Sequence, residues 1–302
     1  MKNSKPKLFF CIGAQKAGTT WLYHRLKEHP NVHLPIMKEL HYFDEIDQAI
    51  PTFPLIRPFF LNGLNKRWLR QVCKRFKGML SGPERRESMW ALRYLMMKRG
   101  LGDSSLSRYQ SMLDFPDAIL SGDMTPAYST LDKPTIERIH AFFPDAKIIF
   151  VLRNLIERDW SFVKMQIYKS ANKPEEDVTE SQFMELINKE NKRNDYIKTL
   201  DLWGQYYPPE QFLVCFYDEL LESSKNYLLK ILNFLELDPV LGSLQLEQRS
   251  NTGVQKEIPD VFARYLYRKH HDQLLELAGR YEHSPYPKQW YEKGIPFFGD
   301  SV

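Results

Sequence analysis

The chain has 302 residues, of which 43% are hydrophobic and 14% aromatic, and it carries a formal net charge of +4. This apolar fraction is enough for a folded core, so the composition excludes an intrinsically disordered protein. The basic N-terminus precedes an apolar run of about six residues, far below the ~20 of a membrane span, so we expect a cytoplasmic protein without a transmembrane segment. The three cysteines show neither a disulfide framework nor metal-binding spacing.

Short apolar runs alternate with helical patterns along most of the chain. The runs are typical of buried parallel strands and lie at 7–12, 118–122, 147–152 and 211–216. The helical patterns lie at 19–29, 133–143, 154–171, 180–206, 219–235 and 258–279. This alternation predicts an α/β fold with a central parallel sheet of about five strands flanked by helices, in a single domain over 1–302.

Residues 47–115 break the alternation and predict a helical insertion. Between Arg57 and Arg99 there are twelve lysines and arginines but only two glutamates, a local charge of +10. A surface helix that packs on the sheet accounts for the apolar spacing in this segment. A membrane-surface helix, giving peripheral membrane contact, and a docking face for an acidic partner are the alternatives.

The segment GAQKAGTTWLY, residues 13–23, joins the first predicted strand to the first predicted helix. Gly13 and Gly18 keep the spacing of a phosphate-binding loop, but Thr19 stands where a triphosphate loop has its lysine, and Lys16 lies inside the loop. Backbone N–H groups in such a loop can still bind a phosphate, although the loop suits a magnesium triphosphate poorly. Trp21 could face either the core or a bound base.

Two further segments carry candidate functional groups. Arg153 follows the strand at 147–152 and Ser161 comes eight residues later, a guanidinium and a hydroxyl that could bind a second phosphate. Arg158 and Asp159, between them, have the pattern of ordinary helix-start charges.

In KELHYFD, residues 38–44, Glu39 and His41 would share a face if the segment is extended. Desolvation by Tyr42 and Phe43 would then raise the pKa of Glu39 towards that of a general base. A solvated pair without a function is the alternative.

Four segments together resemble the sulfotransferases that use 3′-phosphoadenosine 5′-phosphosulfate (PAPS), most closely the heparan-sulfate type and its bacterial relatives. They are GAQKAGTTWLY, KELHYFD, GDMTPAY and FVLRNLIERDWS, in that order and spacing. The resemblance covers about 7–236 without the basic insertion, and it implies a P-loop NTPase-like fold and transfer of a sulfuryl group without a metal.

The resemblance also implies roles for individual residues. The 5′-phosphosulfate would be held by Lys16, Thr19 and Thr20 with the backbone amides of the loop. The donor-binding candidates in this segment are Gln15, Lys16, Ala17, Gly18, Thr19, Thr20 and Trp21. Arg153 and Ser161 would bind the 3′-phosphate, and Lys16 would also stabilise the leaving oxygen. Glu39 matches the catalytic carboxylate and His41 its nearby histidine. Arg249 and Asn251 are candidates for a late phosphate-contacting loop.

The sequence departs from the family pattern at two positions. Met124 stands where the glycan-modifying enzymes often have a lysine, and Leu155 replaces a usual proline. The expected acceptor is a hydroxyl of a glycan, lipid or small metabolite, and the basic insertion favours an anionic or carrier-bound one. No nucleic-acid-binding motif is present. A P-loop nucleotide or small-molecule kinase and a non-catalytic nucleotide-binding or docking module remain the alternatives.

Overall fold

The computed structural model describes residues 6–35, 37–46, 94, 105–115, 118–171, 178–189, 191–240 and 257–298. Within these ranges the strands form one parallel sheet in the order β2-β3-β1-β4-β5. The strands are β1 (Lys7–Gly13), β2 (Val32–His33), β3 (Leu120–Met124), β4 (Lys147–Leu152) and β5 (Phe212–Phe216). The four predicted strands and the α/β class are confirmed, whereas β2 escaped prediction because two residues carry no periodic signal.

The strands are apolar almost throughout because helices flank the sheet. Phe9, Phe10 and Cys11 in β1 and the run 148–152 in β4 are completely buried. In β3, Gly122 lies against β1 so closely that an added Cβ would stand 2.2 Å from the ring of Phe9. The sheet therefore brings the carboxyl ends of β1, β3 and β4 side by side, where α/β folds bind their ligands.

The helices follow the predicted pattern with two corrections. They are α1 (Thr19–Lys27), α2 (Leu106–Leu113), α3 (Lys133–Phe142), α4 (Leu155–Ala171), α5 (Glu180–Lys189), α6 (Tyr196–Gly204), α7 (Tyr217–Glu222), α8 (Ser224–Phe234), α9 (Asp260–Arg280), α10 (Pro285–Glu292) and α11 (Ile295–Phe298). The predicted helix at 180–206 is broken, because the side chain of Asp195 accepts a bond from Lys198 N and starts α6 anew. Ser223 interrupts 219–235 in the same way, by capping α8.

Much of the predicted insertion at 47–115 lies outside the described residues, including all of the basic positions between Arg57 and Arg99. The described parts of this segment include Tyr94, which is helical, and α2. Tyr94 and Tyr109 of α2 are buried in the core. The single-domain prediction stays a prediction. No helix in the described ranges combines the length and the hydropathy needed to cross a bilayer.

A buried polar network joins α4 to α9. Arg158 and Asp159 are fully buried and paired at 2.9 Å. The other carboxylate oxygen of Asp159 lies 2.9 Å from His270 Nε2 and accepts a bond from Asn194 Nδ2. Burial raises the pKa of Asp159, but the contact with His270 and the charge of Arg158 outweigh it and lower the pKa. Arg158 and Asp159 therefore form a buried ion pair that connects α4 to α9, and they are not the ordinary helix-start charges that the sequence indicated.

We expect Asp159→Ala to lower the free energy of unfolding by about 3–5 kcal/mol, because it leaves the Arg158 guanidinium buried without its counterion. Asp145→Ala is the matched control, since Asp145 is exposed, and it should change stability by less than about 0.5 kcal/mol. Urea unfolding followed by circular dichroism measures both. Equal effects of the two variants would show that the buried pair is dispensable.

Candidate active site

The loop between β1 and α1 has the backbone of a phosphate-binding loop. Gly18 caps α1 in the left-handed conformation (φ 81°), and having no side chain it leaves the first backbone N–H groups of the helix without a side-chain cap from the N-cap position. A Cβ on Gly18 would meet the ring of Tyr217 at 3.0 Å, so glycine is required for both reasons. Lys16 is also left-handed, with φ 70°. The first N–H groups of α1 thus lie at an open helix N-terminus, where anions bind.

Three arginines hold this loop through its own oxygen atoms. Arg153 Nη1 donates to the Lys16 carbonyl at 2.9 Å, and Arg158 Nε donates to the Gln15 carbonyl at 3.3 Å. Arg193 Nη1 donates to the side-chain oxygen of Gln15 at 3.1 Å. The loop is therefore fixed from outside, and through Arg158 it is connected to the buried network of α4 and α9.

Arg153 directly follows β4, as predicted, and lies beside the loop. Its guanidinium packs over the ring of Tyr217, 4.6 Å from the centroid, and lies 3.4 Å from the carboxylate of Glu157. Its Nε is buried and has no hydrogen-bond partner in the described part of the chain. Ser161 is partly buried, about two turns along α4. Tyr217, which sequence reasoning missed, enters the site because it directly follows β5.

Glu39 and His41 lie together, although not in the extended segment that the sequence predicted. Both have left-handed backbones, with φ 66° and 53°. The carboxylate of Glu39 lies 3.7 Å from His41 Nε2 and 2.5 Å from Lys38 Nζ. On its other side, His41 Nδ1 lies 2.7 Å from the carboxylate of Asp44. The segment is a compact row of alternating charges.

The expected rise in the pKa of Glu39 is wrong. Burial does raise this pKa, but the hydrogen bond with His41 and the positive charge of Lys38 outweigh it and lower the pKa to about 2. For His41, burial lowers the pKa, while Asp44 and Glu39 act against it and raise it to about 9. At neutral pH the pair is a carboxylate and an imidazolium, because charged partners dominate over the aromatic neighbours.

A buried carboxylate behind this segment sets its position. Asp123, at the end of β3, is 1% exposed and accepts bonds of 2.7 Å from the hydroxyls of Tyr109, Tyr128 and Thr125. Burial raises the pKa of Asp123, and these bonds oppose the rise. The same hydroxyl of Tyr128 accepts a bond from Tyr42 N at 3.0 Å. Asp123 therefore fixes the backbone next to Glu39 and His41.

The segment is also fixed from the side of the insertion. The hydroxyl of Tyr94 donates to the Leu40 carbonyl at 2.8 Å, and the ring of Tyr109 stacks on Tyr42 with centroids 4.3 Å apart. Sequence reasoning assigned no role to these tyrosines. The sequence shows that the region around Tyr94 and Tyr109 is rich in aromatic residues, but this composition does not predict which residues they contact.

The structure brings Lys38 into the site, which the sequence did not suggest. Its Nζ lies 3.4 Å from Thr19 Oγ1, so the charged segment touches the first residue of α1. Trp21 is 5% exposed and packs against Tyr227, and its placement among the donor-binding residues stays a prediction. Met124 is buried at 2% exposure.

The other candidates divide between described and undescribed parts of the chain. Gln15, Lys16, Gly18 and Thr20 are partly buried, whereas Ala17 and Thr19 are buried. Leu155 begins α4 with its side chain fully buried. Arg249 and Asn251 lie outside the described residues.

A family model described as "Sulfotransferase family" matches residues 6–240. Among curated proteins, carbohydrate sulfotransferase 15 of Mus musculus is 26% identical over 274 residues, and that of Rattus norvegicus is 25% identical. Each match covers 77% of this chain and 44% of the relative, so the chain spans less than half the length of these proteins.

Two solved structures match over most of the chain, both at 18% identity. A sulfotransferase from Alicyclobacillus acidocaldarius has a TM-score of 0.58 and covers 91% of this chain and 95% of its own. The sulfotransferase domain from the Synechococcus PCC 7002 olefin synthase has a TM-score of 0.52 and covers 85% of both chains. At this identity the matches establish the fold, which is P-loop NTPase-like.

The charges around His41 make stability depend on pH. The pKa of His41 is raised from its ordinary value of 6.5, so its ion pairs with Glu39, Asp44 and Glu45 stabilise the fold fully below pH 6.5 and are lost as the pH rises through about 9. We expect the melting temperature to fall by a few degrees over this window.

His41→Gln should remove most of that fall, because glutamine does not titrate. His24→Gln is the control, since His24 is exposed on α1. Scanning fluorimetry between pH 6 and 9.5 measures all three proteins. If His41→Gln and the parent protein lost stability in parallel, the imidazolium would not contribute to folding.

Proposed function

The chain belongs to the sulfotransferase family, and from that premise we propose that it transfers a sulfuryl group from PAPS to a hydroxyl group and releases 3′,5′-bisphosphoadenosine. The observation that carries this proposal is the contact of Lys38 with both Glu39 and Thr19, at 2.5 and 3.4 Å. It places the candidate base beside the open N-terminus of α1. A base for the acceptor and a binding site for the donor must be neighbours in such a reaction.

Two features of the described residues fit the donor. The loop offers a helix N-terminus whose N-cap, Gly18, provides no side-chain bond, and the side chains of Lys16, Thr19 and Thr20 for the 5′-phosphosulfate. Arg153 donates to the Lys16 carbonyl and has a buried Nε without a partner among the described residues, and we assign it, with Ser161, to the 3′-phosphate. An arginine fork suits a terminal phosphate because it offers two parallel donors.

The residues then divide the chemistry among them. Glu39 accepts the proton of the acceptor hydroxyl, whose oxygen forms the new bond to sulfur. The bond from sulfur to the bridging oxygen breaks, and Lys16 stabilises the negative charge that develops on that oxygen. Transfer of the sulfuryl group needs in-line placement of the reacting groups and fixed positive charge at the leaving oxygen. Because Lys16 can supply that charge, we assign no metal ion to the reaction.

For the acceptor we propose a hydroxyl of a carbohydrate, with lipids and small metabolites as the other classes. The support is the name of the relatives, which are carbohydrate sulfotransferases. The +10 charge between Arg57 and Arg99 favours an acceptor that is anionic or carried by an acidic protein. We keep the cytoplasm as the proposed location.

A thermal-shift panel tests donor recognition. We expect 3′,5′-bisphosphoadenosine to raise the melting temperature, ADP to raise it less and ATP with magnesium to raise it least, since only the bisphosphate engages both the loop and Arg153. A chelator should leave the bisphosphate shift unchanged. Magnesium-dependent stabilisation by ATP would instead favour a P-loop kinase, and no shift with any nucleotide would favour a docking module.

Substitutions test the roles in turnover, measured as bisphosphoadenosine released from PAPS with a panel of saccharides. Glu39→Gln should lower kcat by ~10²–10⁴ and Lys16→Ala by ~10²–10³, because they remove the base and the charge stabilisation. Arg153→Ala should mainly raise the KM for PAPS. Glu210→Gln, at an exposed position, is the control. Near-normal turnover in Glu39→Gln would refute the base assignment.

A further inference from the structure

We propose that Lys38 is a catalytic residue that exchanges its partner during the reaction: its ammonium group pairs with Glu39 before the donor binds and with the transferred sulfuryl group afterwards. This inference rests on the proposed function, since it assigns a third charged residue to the same site. Neither the loop motif nor the resemblance of the sequence assigned a role to Lys38.

The position of the ammonium group is the first argument. Lys38 Nζ lies 2.5 Å from Glu39 Oε1 and 3.4 Å from Thr19 Oγ1. Thr19 is the first residue of α1, directly after Gly18. A sulfuryl group in transit must lie between the donor loop and the base, and Lys38 contacts both sides of that interval.

Burial is the second argument. The side chain of Lys38 is 16% exposed and that of Glu39 is 36% exposed. A surface ion pair between such residues would be worth little, but here the ammonium group is largely withdrawn from water. Because water screens such a charge less, its electrostatic attraction to an anion that replaces Glu39 is also stronger than at the surface. Lysine suits the exchange because it is a compact charge with three donors on a flexible stem.

The partners of Glu39 are the third argument. Its carboxylate has two cationic neighbours, Lys38 and His41, which together make it a weak base. His41 is also tied to Asp44 at 2.7 Å and Glu45 at 3.6 Å, so it is restrained. The second contact of Lys38 is a neutral hydroxyl, so an anion at the loop competes for Lys38 more readily than for His41. Loss of the lysine contact then makes Glu39 more basic when the donor is in place.

The exchange leaves the chemistry of the step unchanged. The acceptor O–H proton passes to Glu39, the acceptor oxygen bonds to sulfur, and the electron pair of the broken S–O bond stays on the departing bisphosphate. Lys38 contacts the equatorial sulfuryl oxygens throughout, while Lys16 takes the bridging oxygen. When the sulfated product and the bisphosphate leave, Glu39 releases its proton to solvent and the ammonium group returns to the carboxylate.

Lys38→Met tests the proposal, because methionine keeps the apolar stem and removes the charge. We expect its affinity for 3′,5′-bisphosphoadenosine to stay within about threefold of the parent protein, since that product has no sulfuryl group. Its affinity for PAPS should fall about tenfold, and kcat should fall by ~10²–10³, as for other fixed donors at a developing charge. Lys38→Arg should recover part of kcat.

Lys27→Met is the matched control, since Lys27 is exposed in the last turn of α1, and it should leave both affinities unchanged. Calorimetric titrations give the affinities, and release of bisphosphoadenosine from PAPS gives kcat. Melting temperatures of the variants confirm that they fold.

Equal losses of affinity for PAPS and for the bisphosphate would mean that Lys38 only supports the loop, and this would overturn the inference. Unchanged affinities and kcat would overturn it as well. If the parent protein failed to bind the bisphosphate, the proposed function itself would fail, and that outcome is distinct because it appears before any substitution is made.

Discussion

The buried carboxylate of Asp123 is the interaction on which the geometry of the site depends. Asp123 is the last residue but one of β3, beside β1, and three hydroxyl groups donate to its carboxylate at 2.7 Å. Two of these hydroxyls also bind the backbone of the charged segment, since Tyr42 N donates to Tyr128 and His41 N lies 3.5 Å from Thr125 Oγ1. Leaving such a group without partners would be costly, so the sheet, the tyrosines and the charged segment are fixed together.

This constraint explains how two left-handed residues, separated only by Leu40, are maintained. Glu39 and His41 adopt backbone conformations that cost of order 1–3 kcal/mol each for residues other than glycine, and they persist only where the surroundings impose them. Here the surroundings are Asp123 behind the segment and Tyr94 beside it. The loop between β1 and α1 is held in a comparable way by Arg153, Arg158 and Arg193. Two segments with left-handed residues are thus held in place by polar groups from different elements.

The sequence was informative where local chemistry determines structure. The apolar runs identified four strands, and the spacing of Gly13 and Gly18 identified the loop, because both depend only on neighbouring residues. Long-range polar contacts were not accessible in this way. Arg158 and Asp159 have an ordinary pattern in the sequence, and only the fold brings Asn194 and His270 to them. The expected rise in the pKa of Glu39 was wrong for the same reason. Tyr42 and Phe43 are neighbours in the sequence, but the contacts of the Glu39 carboxylate with Lys38 and His41 depend on the fold.

The gradient of exposure across the site gives the direction of the proposed transfer. Thr19 is 5% exposed, the side chain of Lys38 is 16% exposed, and that of Glu39 is 36% exposed. In the proposed reaction the donor side is therefore the interior side, and Glu39 is the more exposed group. An acceptor that approaches from solvent would meet Glu39 first, with the sulfur atom of the proposed donor between it and the loop, which is the arrangement that in-line displacement requires. Lys38 lies in the middle of this gradient and contacts both Thr19 and Glu39, so in the proposed reaction its charge lies between the donor and the base.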